Sequence, residues 1–223
     1  RQSDIKAMGL RLISVWLFYS GFVILIWYMK NNQHIFVGIV GPSGSGKTTL
    51  CKKLKAANKE YEHIRLDNYF KHPKTFPLKH GFRNWEKPSN IKFDVLLKHL
   101  RALQYGKEIH TRSFPKRKGA KPESIILKSK PIVLIEGFML FKDKKIRDVL
   151  DLKIYLDVYP ELMLKRREIR FGPAHVSEYD AKVAIPEFLK YGITQKKYAD
   201  YVIDATKPQT RVIKKVQKII ESF

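Results

Sequence analysis

The feature that constrains this chain most is the segment 41–48, GPSGSGKT, which satisfies the pattern G-x-x-x-x-G-K-[ST] in full. A short apolar run, Ile35–Val40 (IFVGIV), precedes it, and a helical pattern follows it. This strand–loop–helix context is what a phosphate-binding loop requires. Its glycines let the backbone turn so that successive N–H groups point at one anion, and the start of the helix adds positive potential there. The segment therefore predicts a site for ATP or GTP.

The side chains of this loop have distinct predicted parts. Lys47 is expected to reach the β- and γ-phosphates. The hydroxyl of Thr48 is a hard oxygen ligand of the kind that Mg²⁺ prefers. The predicted nucleotide-binding residues of the loop are Gly41, Ser43, Gly44, Ser45, Gly46, Lys47, Thr48 and Thr49.

Strand and helix patterns alternate along the rest of the chain. This alternation predicts an α/β protein with the P-loop NTPase fold, a parallel five-stranded sheet flanked by helices. Residues 107–130 interrupt it, because two short alternating runs flank the basic, turn-rich PKRKGAKP, which indicates a β-hairpin flap. The predicted strands are 35–40, 63–66, 131–135, 153–158 and 201–203, and the predicted helices are 48–57, 91–104, 144–150, 161–170, 181–191 and 209–222.

Two carboxylates and three arginines are further candidates for the site. Asp67 and Glu136 follow predicted strands, and the carboxyl ends of parallel strands face the ligand. Asp67 can orient an acceptor hydroxyl and take its proton, and Glu136 can hold Mg²⁺ directly or through water. Arg166, Arg167 and Arg170 can close over the phosphates as part of a lid. The alternatives are a helix cap for Asp67, an exposed strand end for Glu136 and a solvated basic helix end for the arginines.

These segments together resemble the uridine kinase and nicotinamide riboside kinase group of P-loop kinases, over about residues 33–206. Beside the loop and the arginine-rich lid, the resemblance rests on DNYF at 67–70, NWE at 84–86, LIEGFMLF at 134–141 and KYADYVI at 197–203. It implies Mg²⁺-dependent transfer of phosphate from ATP to the 5′-hydroxyl of a nucleoside-like acceptor, with uridine or cytidine favoured. We accordingly expect catalytic roles for Asp67, Lys47, Arg166 and Arg170, nucleotide binding by Arg167, acceptor binding by Asp67, Tyr69, Glu86, Phe114 and Arg166, and metal binding by Thr48 and Glu136.

The chain departs from the uridine kinase pattern at the acceptor. Glu86 stands where the family has an aspartate that binds the ribose hydroxyls. The flap keeps Phe114 but lacks the tyrosine and histidine that help hold a pyrimidine, which predicts weaker selection of the base. Four basic residues surround Phe114 in the flap: Arg112, Lys116, Arg117 and Lys118. They would suit an acceptor that bears a phosphate or a carboxylate, and the alternative is that they form an exposed basic loop. A kinase of the same superfamily acting on nicotinamide riboside, pantothenate or a phosphosugar therefore stays open.

The composition bears on partners and location. The chain has 44 Lys+Arg against 21 Asp+Glu, a net charge of +23, which indicates an anionic partner. The basic residues are dispersed and no helix-turn-helix, zinc or RNA-binding motif accompanies them, so we expect a small-molecule substrate and no specific nucleic acid. A nucleic-acid- or membrane-associated NTPase is the alternative of another class. The one cysteine, Cys51, suits a reducing compartment, so we expect a cytoplasmic protein; a homo-oligomer stays open.

The first 29 residues differ from the remainder. Residues 13–29 are seventeen uncharged positions, near the lower limit of the about 17–25 that cross a bilayer, and they carry Trp and Tyr. Three interpretations are open: non-native upstream sequence, since Met29 opens a self-sufficient sequence; a membrane anchor, which would tether the protein; or a packed helix. We predict a segment 1–29 and a kinase domain 30–223, with a flap at about 107–130 and a lid at about 163–180.

Overall fold

The computed structural model describes residues 34–114, 121–172 and 178–223. The predicted N-terminal segment 1–29, the flap residues 115–120 and the lid residues 173–177 lie outside the described residues. Within the described ranges, no helix combines the length and apolarity needed to cross a bilayer. The division of the chain into segment and domain stays a prediction.

A five-stranded parallel sheet forms the centre of the fold, in the order β2–β7–β1–β8–β9. Its strands are β1 (Ile35–Val40), β2 (Tyr61–Arg65), β7 (Ile132–Glu136), β8 (Leu152–Asp157) and β9 (Tyr201–Asp204). Two antiparallel pairs lie outside it: β3 (Leu78–Lys79) with β4 (Phe82–Arg83), and β5 (Ile109–Arg112) with β6 (Ser124–Leu127). The predicted parallel sheet and the β5–β6 hairpin are both confirmed.

Helices cover both faces of the sheet. They are α1 (Lys47–Ala57), α2 (Phe93–Gln104), α3 (Lys144–Arg147), α4 (Pro160–Phe171), α5 (Ile185–Glu187) and α6 (Gln209–Glu221). The short α5 lies between two π-helical turns, Asp180–Ala184 and Phe188–Gly192, and a 3₁₀ segment follows at Ile193–Tyr198. Further 3₁₀ turns span Leu66–Tyr69, Pro73–Thr75, Pro88–Asn90 and Leu140–Lys142.

The apolar run of β1 is continuous because both of its faces are buried. Phe36 and Val40 pack into one core with the leucines of α2, and Val37 and Ile39 pack into the other core. The apolar stripe of α6, with Val212, Val216 and Ile220 four residues apart, and Leu50 and Leu54 of α1 belong to that second core. This packing fixes the carboxyl ends of β1, β2, β7 and β8 along one edge, where the loops carry polar residues.

Most predicted elements have bounds that shift by one or two residues in the structure, among them the second strand, and two predicted helices change more. The second strand begins at Tyr61 rather than at residue 63, because the polar Glu62 is buried and donors satisfy its carboxylate, including the Lys128 N–H at 3.3 Å. The predicted helix 144–150 ends at Arg147. The predicted helix 181–191 exists but winds irregularly, as π and α turns.

Candidate active site

The phosphate-binding loop joins β1 to α1. Gly44 and Gly46 have φ of 84° and 91°, in the left-handed region that glycine adopts without strain. A Cβ on Gly41 would lie 2.5 Å from the Leu156 carbonyl oxygen, so the loop packs directly against β8. These two constraints explain the glycines, and they give the loop the concave backbone that an anion requires.

Lys47 at the start of α1 bends back over this loop. Its buried Nζ donates to the carbonyl oxygens of Gly41 and Pro42, each at 2.8 Å, and lies 3.4 Å from Ser45 Oγ. The ammonium is therefore held above the concave side of the loop, where a phosphate would be a charge-assisted partner. Of the other predicted loop residues, Ser45 is buried, Ser43 is half-buried and Thr49 is exposed.

Thr48 and Glu136 meet at the edge of the sheet. Thr48 Oγ1 donates to Glu136 Oε1 at 2.8 Å, and Glu136 is buried at the end of β7. Burial alone would raise the pKa of this carboxyl, but nearby His63, Lys47 and the Thr48 hydroxyl outweigh it and hold the pKa well below its usual range. The carboxylate is therefore ionised. His63 Nε2 lies 3.7 Å from Glu136 Oε1.

The donor set of this pair fits Mg²⁺. An ionised carboxylate oxygen and a hydroxyl oxygen are hard ligands, and Mg²⁺ commonly completes its coordination with water and substrate phosphate oxygens rather than with protein groups alone. Over the described ranges, no group of three or more His, Cys, Asp and Glu residues is arranged to hold a metal by itself.

Arg65, which the sequence analysis missed, links two of the predicted residues. Its Nη2 donates to Asp67 Oδ2 at 2.6 Å, and its Nε lies 3.5 Å from Glu136 Oε1. Asp67 lies in the 3₁₀ turn that follows β2, and its side chain is 36 % exposed. The available signal was the strand register, because Arg65 of β2 pairs with Glu136 of β7, and residues 63 and 65 share a face of the strand.

Glu86 lies in the loop after β4, beside residues of the lid region. Burial raises the pKa of its carboxyl to about 7, since it outweighs the opposing effects of the Arg167 guanidinium and of a hydrogen bond from Tyr179. The residue as a whole is half-buried, but its carboxyl group is enclosed by protein. Arg167 is itself paired with the buried Asp180, at 2.7 Å between Nη2 and Oδ1.

An aromatic cluster adjoins Glu86. The ring centroids of Phe70 and Phe114 lie 5.4 Å apart, and Trp85 lies 5.9 Å from each. The backbone N–H of Phe114 donates to Asn68 Oδ1 at 3.1 Å, so the flap is bonded to the turn that carries Asp67. Phe76 and Phe138 complete the cluster.

The prediction that Tyr69 contacts the acceptor is wrong in its placement of the side chain. Tyr69 is 2 % exposed, packs in the core with the leucines of α2, and its hydroxyl bonds to His99 Nδ1 at 2.9 Å. The turn after β2 directs the next side chain, that of Phe70, into the aromatic cluster instead. The two neighbours therefore point to different sides of the 3₁₀ turn, Tyr69 into the core and Phe70 into the aromatic cluster.

The lid arginines diverge from α4. Arg166 donates to the carbonyl oxygens of Gly44 and Ala205, both at 3.1 Å, whereas Arg167 faces Glu86 and Asp180. The predicted roles of Arg166 at the acceptor and of Arg167 at the nucleotide stay predictions; Arg166 contacts the loop at Gly44, and Arg167 shares a pocket lining with Ser43 of the loop and with Glu86. The side chain of Arg170 lies outside what the structure describes.

A cavity of about 240 Å³ opens beside the loop, on the side of β8 and β9. Its lining includes Gly46, Leu156, Ala205, Lys207 and Gln209. Asp67 and Glu136 follow β2 and β7, on the other side of β1. The phosphate-binding loop therefore separates a cavity on one side from the candidate catalytic carboxylates on the other.

A phosphate-binding loop at the carboxyl edge of a parallel sheet, with helices on both faces, defines the P-loop class of nucleotide-binding proteins. A family model described as phosphoribulokinase / uridine kinase family matches residues 36–212. The chain belongs to this family.

Individual relatives agree with this assignment. The chain is 31 % identical over 179 residues to a uridine kinase of Brevibacillus brevis, which covers 76 % of this chain and 84 % of the relative. It is 28 % identical over 202 residues to a uridine kinase of Halalkalibacterium halodurans, with 84 % and 95 % covered. Among solved structures, a possible uridine kinase from Bacillus stearothermophilus matches with a TM-score of 0.57 and 18 % identity, over 77 % of this chain and 89 % of that one.

A more distant solved structure shares only the fold. Shikimate kinase from Acinetobacter baumannii matches with a TM-score of 0.51 and 17 % identity, over 86 % of this chain and 95 % of that one. The family membership makes the protein a phosphotransferase that acts on a hydroxyl group of a small molecule. Kinases of this class use ATP and Mg²⁺ in general.

Proposed function

We propose that the protein transfers the γ-phosphoryl group of ATP to the 5′-hydroxyl of a nucleoside-like acceptor, with uridine and cytidine favoured. The observation that carries this proposal is the position of Asp67. It lies one turn beyond β2, bonded through Arg65 to the edge that also holds the Thr48–Glu136 pair. A carboxylate at that point can accept a proton from a hydroxyl that attacks the phosphate bound in the loop.

On the donor side, the loop backbone and Lys47 bind the β- and γ-phosphates. The cavity beside Gly46 receives the nucleoside end of the donor, and we take the donor to be ATP, with GTP as the alternative. Thr48 and Glu136 would hold Mg²⁺, which supplies charge neutralisation at the β- and γ-oxygens when it is bound. Arg166 holds Gly44 and the loop after β9 together, so it keeps the phosphate-binding loop and this cavity in register.

On the acceptor side, Glu86 binds the vicinal hydroxyls of the sugar, because one carboxylate can accept from two donors at once. The half-exposed rings of Phe70, Trp85 and Phe114 offer a surface on which a flat base packs. Arg167 lines one pocket together with Ser43 of the loop and Glu86, where it can bind the phosphoryl group in transit. A catalytic contribution of Arg170 stays a prediction.

The proposed reaction is an in-line displacement. The acceptor oxygen attacks the γ-phosphorus, the bond to the β-phosphate oxygen breaks, ADP leaves, and the proton of the acceptor hydroxyl passes to the Asp67 carboxylate. Because little covalent chemistry falls to the protein, its contribution is positioning and electrostatic stabilisation.

The aromatic cluster also supports a second acceptor class. A surface of aromatic rings selects a flat ring without reading its hydrogen-bonding edge, so a nucleoside-like acceptor with another ring, such as nicotinamide riboside, fits the same observation. Pantothenate and phosphosugars lack such a ring and gain less from these contacts.

A screen of acceptors decides between these proposals. The protein is incubated with Mg²⁺ and ATP and with uridine, cytidine, purine nucleosides, nicotinamide riboside, pantothenate or phosphosugars in turn, and products are detected by the mass of one added phosphoryl group. We expect nucleoside monophosphates, most rapidly from the pyrimidines. Faster product formation from nicotinamide riboside would assign the second class, and nucleic-acid-stimulated ATP hydrolysis with no phosphorylated small molecule would contradict both.

A further inference from the structure

The short β3–β4 hairpin leads into the loop that carries Glu86. It contacts the helical region 178–192 at two places. Lys79 Nζ donates to Glu187 Oε1 at 2.6 Å. The ring of Phe82 packs edge-on against that of Tyr179, with centroids 5.9 Å apart. The backbone N–H of Trp85 donates to the Tyr179 hydroxyl at 3.2 Å. Tyr179 is thus fixed against the segment that presents Glu86.

The same tyrosine hydroxyl contacts the acceptor carboxylate itself. While it accepts the Trp85 N–H, it donates its own proton to Glu86 Oε1 at 3.5 Å. A donor on one oxygen restricts the rotation of the carboxylate and leaves the second oxygen to accept from a ligand. The carboxylate therefore has a preferred orientation before any acceptor binds.

Tyr179 also connects Glu86 to the lid helix. Its neighbour in sequence, Asp180, is 1 % exposed and pairs with Arg167 of α4. The groups that face Glu86 from the elements around it are Arg167 of α4 and Tyr179, Asp180 and Glu187 of the helical region. Lys79 of β3 is paired with Glu187. The carboxylates of Glu86, Asp180 and Glu187 thus lie close to two cations and the Tyr179 hydroxyl. Because the groups are largely shielded from water, a single hydrogen bond has a measurable effect on the ionisation of Glu86.

We propose that Tyr179 is a positioning residue for the acceptor: its hydroxyl orients Glu86 for two vicinal sugar hydroxyls, and through Asp180 and Arg167 it ties that orientation to the lid helix. The inference rests on the proposed function, in which Glu86 binds the sugar. It adds that the acceptor site is completed by Tyr179 at the end of the predicted lid, more than ninety residues away along the chain.

Steady-state kinetics of Tyr179→Phe test this role, with Tyr105→Phe as the matched control. The substitution removes one hydroxyl and keeps the ring that packs on Phe82, whereas Tyr105 is 77 % exposed beyond α2, far from these contacts in sequence. We expect the KM for uridine to rise by roughly three- to tenfold, the worth of one hydrogen bond of ordinary strength, because the contact at 3.5 Å is long. We expect kcat and the KM for ATP to change by less than about twofold, since the lost contact is made to Glu86, the proposed acceptor ligand, and not to the phosphate-binding loop or to Asp67.

The pH dependence of that KM separates positioning from a general structural effect. In the wild type, the KM for uridine should fall as the pH rises through about 7, because Glu86 ionises there. The hydrogen bond from Tyr179 lowers the pKa of Glu86. Its loss should therefore raise that pKa and move the midpoint of the KM profile to higher pH. Glu86→Gln should give a high KM without this pH dependence, and the Tyr105 variant should match the wild type.

The outcomes distinguish the two levels of the proposal. A raised KM in Glu86→Gln together with an unchanged KM and midpoint in Tyr179→Phe would overturn the role of Tyr179 and leave the proposed function standing. An unchanged KM in Glu86→Gln would overturn the assignment of Glu86 to the acceptor, and with it the inference. A raised KM in both variants, with the midpoint of Tyr179→Phe moved to higher pH, supports both.

Discussion

Arg65 and Asp67 form an ion pair of 2.6 Å, and the same guanidinium lies 3.5 Å from Glu136. One largely buried arginine thus joins the proposed catalytic base to the proposed metal carboxylate. The planar, rigid fork of a guanidinium can face two carboxylates at once, which a lysine ammonium on a flexible stem does less well. The orientation of Asp67 therefore depends on a residue outside every motif of the sequence.

Replacing Arg65 should impair turnover more than binding. We expect Arg65→Gln to lower kcat by about tenfold to a hundredfold, because a loosely held base loses its alignment with the acceptor hydroxyl. The KM for ATP should change little, and Arg65→Lys should lie between the variant and the wild type. Arg101→Gln, on the exposed face of α2, is the control. Wild-type kcat in Arg65→Gln would show that Asp67 needs no such support.

Asp67→Asn tests the base itself. The amide keeps the size of the side chain but cannot take a proton, so kcat should fall by about 10²–10⁴ while the affinity for ATP stays nearly unchanged. Nucleotide binding is measured by calorimetry and turnover by product formation. Asp148→Asn, at a carboxylate that is 56 % exposed, controls for loss of a charge. Retention of full turnover in Asp67→Asn would exclude this residue as the base.

The Thr48–Glu136 pair should determine the Mg²⁺ requirement of nucleotide binding. We expect Glu136→Gln to raise the Mg²⁺ concentration needed for half-maximal ATP affinity by about tenfold or more, since a charged ligand is lost. ATP affinity in the absence of Mg²⁺ should fall far less, or rise, because a negative charge near the phosphates is removed. Glu123→Gln, on the exposed part of the flap, should behave as the wild type. An identical Mg²⁺ titration for Glu136→Gln would remove Glu136 from the metal site.

Glu86 should make the ligand-free protein less stable above neutral pH. The pKa of Glu86 is raised from 4.5 to about 7 in the folded state. As the pH rises, the carboxyl loses its proton in the unfolded chain before it does so in the folded protein. Folding stability is therefore lost as the pH rises from about 4.5 through 7. We expect Glu86→Gln to be more stable than the wild type at pH 8 by about 1–3 kcal/mol, and nearly equal at pH 4.5. Urea unfolding at both pH values measures the difference. A variant less stable at pH 8 would contradict a carboxyl held above its ordinary pKa.

Contiguous segments account for what the sequence could predict. The sequence shows the loop, its flanking strand and helix, and the carboxylates at strand ends as local patterns. The strands of a sheet that is covered on both faces are also recognisable, because they are continuous apolar runs. Tyr179 has no such signal, because it contacts Glu86 across more than ninety residues. For Arg65 the signal lay only in the strand register that sets it beside Glu136, and no motif includes it. Side-chain direction within the irregular turn at Leu66–Tyr69 had no sequence signal either, so the burial of Tyr69 was not predicted.

The central claim, phosphorylation of a nucleoside 5′-hydroxyl, is tested most directly by identifying the product formed from uridine, Mg²⁺ and ATP. Phosphorus NMR distinguishes a 5′-phosphate from 2′- and 3′-phosphates and from free phosphate. The account predicts uridine 5′-monophosphate and ADP in equal amounts, with the product nearly absent in Asp67→Asn. Release of free phosphate without a phosphorylated nucleoside, at the same rate with and without uridine, would contradict it.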